Sequence, residues 1–263
     1  MPEEPAPGDA LLIALGLSLE ELAARPLAPV EVAIVDSGID ATHPDLLGRV
    51  DDAKRVEEGR ITDQVGPSNN DTYGHGTAVA SIIARIAPNA RLFDIRVLRP
   101  GNKGSGDDLL AGLRHAVRSR HKVINMSLAS PPKFAAQLMQ SCERAFYQDQ
   151  VVVAARRNMP ITDEGFPAEF ACVLGVDNGD LPQPVTIRYR PHRSIELAAP
   201  GDVIPVAAPG GGYTTLSGTS FAAPVVTGVC ALLLGAFPTL RPHDVRTVLC
   251  AYGLRSDTTR GEA

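Results

Sequence analysis

Three short segments, far apart in the chain, combine polar side chains with glycine: Asp36-Ser37-Gly38, Gly74-His75-Gly76-Thr77 and Ser217-Gly218-Thr219-Ser220. A carboxylate, an imidazole and a hydroxyl are the ingredients of nucleophilic acyl transfer. A serine hydroxyl attacks poorly unless a base takes its proton as it does so. Ser220 is therefore the candidate nucleophile and His75 the candidate base. Asp36 is suited to hold the imidazole in one tautomer and to stabilise the imidazolium. The tetrahedral intermediate needs donors aimed at its oxygen; the Ser220 amide at a helix start is one, and the side-chain amide of Asn158 a second. Glycine neighbours let a substrate backbone approach closely.

These groups can meet only if regular elements carry them to one place. Val30 to Val35 reads as a buried strand, as do Arg91 to Leu98, Lys122 to Met126, Val151 to Ala155 and Ala171 to Val176. Helical stretches run over Ala78 to Ile86, Asp107 to Arg120 with Asp107 or Asp108 as cap, and Lys133 to Gln148. Two more follow, Phe221 to Ala236 and Arg241 to Ala251, separated by Pro238. Strand after helix after strand implies right-handed crossovers and a parallel sheet covered on both faces. In such sheets ligands sit beyond the carboxyl ends of the strands. Asp36-Ser37-Gly38, Ser127-Leu128-Ala129 and Arg156-Arg157-Asn158 all occupy that position. Asp51 to Tyr73 is polar and reads as a long surface loop, Asp180 to Ala199 as a β-ribbon. Asp9 to Ala24 reads as one amphipathic helix capped by Asp9.

Composition narrows the remaining choices. The 263 residues suit one large α/β domain. Thirty acidic against 25 basic residues give a net charge of −5, a poor match for a phosphate backbone, so no nucleic-acid partner is expected. No uninterrupted run of 18 apolar residues exists, so no membrane span is expected. The N-terminal apolar stretch lacks the basic flank and cleavage site of a signal peptide, which points to the cytoplasm. Cys142, Cys172, Cys230 and Cys250 are widely spaced and read as small core residues, not as a zinc or disulfide framework.

The three segments, the last continuing as Phe221-Ala222-Ala223-Pro224, resemble in residue content and in Asp, His, Ser order the signatures of the subtilisin-like serine proteases, the subtilases. The resemblance covers roughly Glu31 to Ala251. It implies a single-domain, three-layer α/β sandwich with a mostly parallel, about seven-stranded sheet, and serine endopeptidase activity on a peptide or protein substrate. It assigns the triad to Asp36, His75 and Ser220 and the oxyanion side chain to Asn158. It makes Ser127, Leu128 and Ala129 the segment that pairs with extended substrate, with Ala155 and Arg157 beside it. The organisation of the chain divides it into residues 1–28 as an N-terminal helical extension, 29–253 as the peptidase domain and 254–263 as a flexible tail.

Departures from the family pattern carry their own expectations. Arg157 stands where glycine usually precedes the oxyanion asparagine, and Ala129 replaces a usual glycine; both would reshape the pocket. Ala78 replaces a second histidine that is not a triad member. The stretch from Thr77 to Pro88 lacks the insertion that forms a tight calcium site in many relatives, so no metal or other cofactor is expected. About 29 residues precede the first strand, too few for the usual inhibitory pro-domain. Together these features suggest an intracellular processing protease of narrow specificity. The rival readings are a peptide-binding pseudoprotease with its pocket filled by Arg157, and a metal-dependent hydrolase built from Asp36, Asp40, His43 and His75. His43 is the rival base. Asp71 braces the His75 loop, and Asp163 and Glu164 lie where they would favour a basic substrate residue or else face solvent. Neither oligomeric state nor physiological substrate follows from the sequence.

Overall fold

The structure, a computed structural model, describes residues 7–64, 68–101, 103–158, 165–181 and 185–258. The chain begins with helices α1 (Pro7–Gly16) and α2 (Leu19–Ala23), then strands β1 (Val30–Asp36), β2 (Val50–Glu57) and β3 (Arg60–Asp63). Helix α3 (His75–Ile86), strands β4 (Ala90–Arg96), β5 (Leu98–Arg99) and β6 (Lys103–Gly104) and helix α4 (Gly106–Arg118) follow. Next come β7 (Val123–Met126), α5 (Ala135–Tyr147), β8 (Val151–Ala155), β9 (Leu174–Gly179), β10 (Arg188–Tyr189) and β11 (Leu197–Pro200). The hairpin β12 (Ile204–Ala208) and β13 (Gly212–Leu216) leads into α6 (Thr219–Ala236) and α7 (Pro242–Thr258).

The main sheet runs β10-β11-β9-β8-β7-β1-β4-β2-β3. Its seven inner strands pair in parallel, and β3 and β10 add one antiparallel strand at each edge. Alternation sorts each strand between two cores. In β1, Val32 and Ile34 face the layer of α3, α6 and α7, while Ala33 and Val35 face that of α4 and α5. In β8, Val151, Val153 and Ala155 take the first side, Val152 and Ala154 the second. Burial on both faces is why these strands read as continuous apolar runs. Helix α6 is long and apolar enough to cross a membrane by length and composition, yet 89% of it is buried in this fold. It packs across β7, β8, β9 and β11 and against α3 as a core helix.

Several local expectations are corrected. Residues 50–63 are not loop but the β2–β3 hairpin, whose first strand extends the sheet by pairing with β4. Its polar residues gave no strand signal, because the edge is held by backbone pairing and by Lys54 bridging Asp52 and Asp63 at 2.7 and 2.6 Å. The N-terminal helix is two helices. A capping box at Ser18, which accepts from the Glu21 amide while its own amide donates to the Glu21 carboxylate at 2.7 Å, starts the second. Both dock on this chain: Ala10, Ala14 and Leu22 are buried in the core, and the Tyr252 hydroxyl donates to the Ala14 carbonyl. Ser105, not Asp107 or Asp108, caps α4, accepting from the Asp108 amide at 3.0 Å. The Asp108 carboxylate instead accepts from the Gly59 amide and Arg99. The strand expected at 171–176 begins at Leu174, after turns through Phe170 and Val173. Helix α7 continues to Thr258, past Ala251 where the helix was expected to end.

Candidate active site

The carboxyl ends of β1, β7 and β8 and the starts of α3 and α6 surround one cleft of about 530 Å³. His75, Ser127, Leu128, Ala129, Ala155, Arg157, Asn158 and Ser220 line it. Asp36, the last residue of β1, is buried behind His75. The nine residues that the family resemblance assigned to the site are thereby gathered around one cleft.

His75 opens α3, and its Nδ1 lies 2.7 Å from Asp36 Oδ1. An ionised carboxylate can only accept, so Nδ1 carries the proton and Nε2 is left as the basic nitrogen. The same Asp36 oxygen accepts from the Ser37 amide at 2.7 Å. Two glycines make this contact sterically possible. A Cβ on Gly76 would lie 2.1 Å from the Gly38 carbonyl oxygen, and one on Gly38, at φ +105°, 2.2 Å from the Asn70 carbonyl oxygen. The two signature segments thus pack backbone against backbone.

Asp71 braces the turn. Oδ1 accepts from the Ser37 hydroxyl and the Tyr73 and Gly74 amides at 2.8, 2.9 and 2.7 Å. Oδ2 accepts from the Thr77 amide and hydroxyl at 3.0 and 2.5 Å. Burial alone would push the His75 pKa down, but the charge and hydrogen bond of Asp36, helped by Asp71, raise it above the ordinary imidazole value.

On the facing wall, Ser220 is the second residue of α6. The first amides of a helix have no intrahelical acceptor. The Thr219 amide donates to Asn158 Oδ1 at 3.1 Å and the Phe221 amide to the Gly218 carbonyl at 3.0 Å. Among the described residues the Ser220 amide has no acceptor. Because the Thr219 amide must donate, the oxygen of Asn158 faces it and Nδ2 turns away. A Cβ on Gly218, at φ +145°, would lie 3.4 Å from that Nδ2. The Thr219 hydroxyl reaches the Arg156 carbonyl at 2.6 Å and Asn158 Oδ1 at 2.9 Å, tying the loop after β8 to the helix. The His75 ring packs 5.3 Å from the Phe221 ring, which sets the imidazole beside the residue following Ser220.

His43 does not join this group. Its Nε2 donates to the Gly212 carbonyl at 2.9 Å and its Nδ1 accepts from the Asp45 amide at 3.1 Å, so both nitrogens are engaged in holding a loop. Asp40 likewise accepts from Thr42 and the Gly210 amide. Among the described residues, no group of three or more His, Cys, Asp or Glu converges as metal ligands do. Asp163 and Glu164 lie outside the described residues.

Three contributors were not singled out from sequence. Thr219 orients Asn158, and its place inside the serine segment was a usable signal. Gly165 packs against Arg157 and Ala129, two residues that line the cleft; a Cβ there would lie 2.5 Å from Arg157 Cβ. Asp94, in β4, accepts from the Ile39 amide at 3.0 Å and Asn70 Nδ2 at 2.8 Å, linking the loops that follow Asp36 and precede His75. A single acidic residue among the apolar and basic ones of β4 was its only mark.

Comparison with known proteins agrees with this geometry. Residues 28–252 match the model of the subtilase family, Peptidase_S8. The chain is 34% identical to Subtilisin DY of Bacillus licheniformis over 235 residues, covering 84% of this chain and 82% of that protein. It is 32% identical to the Intracellular serine protease of Paenibacillus polymyxa over 219 residues, covering 78% and 66% respectively. A solved structure of a cold adapted subtilisin-like serine proteinase superposes with a TM-score of 0.73 at 25% identity, covering 87% of this chain and 84% of that one. The chain belongs to the subtilase family of subtilisin-like serine endopeptidases.

Proposed function

We propose that this chain cleaves peptide bonds through an acyl-enzyme formed on Ser220. The Ser220 hydroxyl oxygen attacks the scissile carbonyl as its proton passes to His75 Nε2. Asp36 holds the Nδ1 proton and balances the imidazolium charge. The oxyanion takes hydrogen bonds from the Ser220 amide and Asn158 Nδ2. The intermediate collapses, the C–N bond breaks, and His75 gives its proton to the leaving amine. Water, deprotonated by the same imidazole, then releases the acid and restores the hydroxyl. Ser127 to Ala129 line the cleft where extended substrate would lie, beside Ala155 and Arg157.

The observation that carries this reading is the 2.7 Å contact of His75 with Asp36 on one wall of a cleft. The other wall presents Ser220 and Asn158. The cleft is open with Arg157 in it, which favours a working enzyme over a binding-only protein. Arg157 and Ala129, in place of small glycines, support narrow specificity. Four free cysteines and a relative named as an intracellular protease support a cytoplasmic processing role. The docking of α1 and α2 on the core supports a division into an N-terminal extension, residues 1–28, and a peptidase domain over 29–253.

A fluorophosphonate probe tests the nucleophile: wild type should label and Ser220→Ala should not. Labelling of the variant at the wild-type rate would end the assignment. The labelling rate should rise with pH as His75 deprotonates, with a midpoint above the ordinary histidine value because its pKa is raised.

A further inference from the structure

Behind the wall of Asp36 and His75 lies a buried polar pair that the acyl-transfer steps do not use. Asp94, inside β4, and Asn70, on the loop before α3, are 1% and 3% exposed. Asp94 Oδ2 accepts from Asn70 Nδ2 at 2.8 Å and from the Ile39 amide at 3.0 Å. The Asn70 amide donates to the Ile39 carbonyl at 3.0 Å, and the Asn70 carbonyl accepts from Arg96 at 3.3 Å. Ile39 lies three residues after Asp36. Asn70 stands next to Asp71, whose carboxylate braces Ser37, Gly74 and Thr77. One oxygen of Asp94 thus ties together the two loops that set the Asp36–His75 contact.

The pair lacks one donor. Asp94 Oδ1 and Asn70 Oδ1 are both buried, and among the described residues neither accepts a hydrogen bond. A carboxylic acid and an amide meet in a two-bond ring, the amide N–H donating to one carboxyl oxygen and the acid O–H to the amide oxygen. The first bond is present, and both oxygens of the second are unfilled. An ionised Asp94 would bury a charge with one oxygen unsatisfied, which is costly. Burial pushes the Asp94 pKa up to about 7; Asp71 adds to the rise, while the bonds from Asn70 and Ile39 and the charge of Arg96 oppose it. Of the other elements packed on this face, β1 ends at Asp36, α3 starts at His75, and β2 carries Arg55 and Glu57, the last paired with Arg96 at 3.1 Å.

Resting on the peptidase reading, we propose that Asp94 is a positioning residue: protonated, it closes an acid–amide pair with Asn70 and holds the Ile39 and Asp71 loops at the spacing that the Asp36–His75 contact needs. Loss of the proton leaves acceptor facing acceptor and sets a second negative charge near Asp71. The loops then part, and proton transfer from Ser220 to His75 slows. Asp94→Asn carries the missing donor at every pH, because its oxygen can accept as Oδ2 does while its Nδ2 donates to Asn70 Oδ1.

The test is fluorophosphonate labelling, measured as the rate at saturating probe and the half-saturating concentration, across the pH range in which Asp94 and His75 titrate. Asp94→Ala should lower the saturating rate by about 10–100-fold, the cost of a small misplacement of reacting groups, with half-saturation unchanged. Asp94→Asn should restore the rate. The wild-type rate should rise as His75 deprotonates and fall again above about pH 7 as Asp94 ionises, whereas that of Asp94→Asn should rise and stay level. Superimposable profiles of wild type and Asp94→Asn overturn the proposal, because a merely structural carboxyl would lower melting temperature in Asp94→Ala without shaping the profile. An Asp94→Ala as fast as wild type, or an Asp94→Asn no faster than Asp94→Ala, overturns it too. If Asp94→Ala does not fold, wild type against Asp94→Asn decides alone. A wild-type protein that never labels overturns the peptidase reading and this proposal together, whereas labelling with superimposable profiles overturns this proposal only.

Discussion

The two walls of the cleft are built differently. On the wall of Asp36 and His75, one carboxylate, Asp71, accepts from Ser37, Tyr73, Gly74 and Thr77, and two glycines force backbone against backbone. On the opposite wall, Asn158 is oriented through Thr219, and Arg157 takes its place because Gly165 leaves room. The first wall fixes a geometry shared by any acyl-transfer chemistry of this type. The second depends on a few side chains, so substitutions there can change what is bound while the proton-transfer pair stays in place.

The comparison is broken most severely at Asp36. Asp36→Asn keeps the shape but loses the charge that favours the reactive tautomer, and such a change costs about 10⁴ in kcat in this kind of triad. It should also move the acid limb of activity to lower pH, because the charge that raises the His75 pKa is gone. An unmoved limb would mean that Asp36 does not set the imidazole's protonation. Both readouts come from pH–rate profiles.

Asn158→Ala tests the opposite wall with a smaller loss. In a subtilisin, removing the side-chain oxyanion donor costs about 10²–10³ in kcat, and the same range is expected here with little change in KM. A loss confined to KM would make Asn158 a binding residue and not an oxyanion donor.

The smallest effect sharpens the account of the braced wall. Asp94 is fully buried, and burial pushes its pKa up to about 7 despite the hydrogen bonds from Asn70 and the Ile39 amide; nearby Asp71 adds to the rise and Arg96 opposes it. Between about pH 4 and 7 the unfolded carboxyl is ionised while the folded one keeps its proton. The folded state then binds more protons, so this group's contribution to stability falls as pH rises. Asp94→Asn does not titrate. In a Ser220→Ala background that prevents self-digestion, its stability should gain on the parent by the order of 1 kcal/mol per pH unit across that window. Thermal melts from pH 4 to 8 measure it, and a pH-independent difference would refute the buried neutral carboxyl.

The chemistry was legible in the sequence because it depends on residue type and short spacing. Asp36, His75 and Ser220 each stand in a glycine-bearing segment at the end of a strand or the start of a helix. The apolar runs of β1, β7 and β8 announced a parallel sheet buried on both faces. The polar β2–β3 hairpin was illegible, because its strand identity comes from pairing with β4 and from the Lys54–Asp63 ion pair across the hairpin. Tertiary structure alone engaged both nitrogens of His43 elsewhere, set Arg157 against Gly165 and buried Asp94 beneath two loops. A side chain's identity is local, but its desolvation, hydrogen-bond partners and available space are supplied by residues distant in the chain, and only folding brings those together.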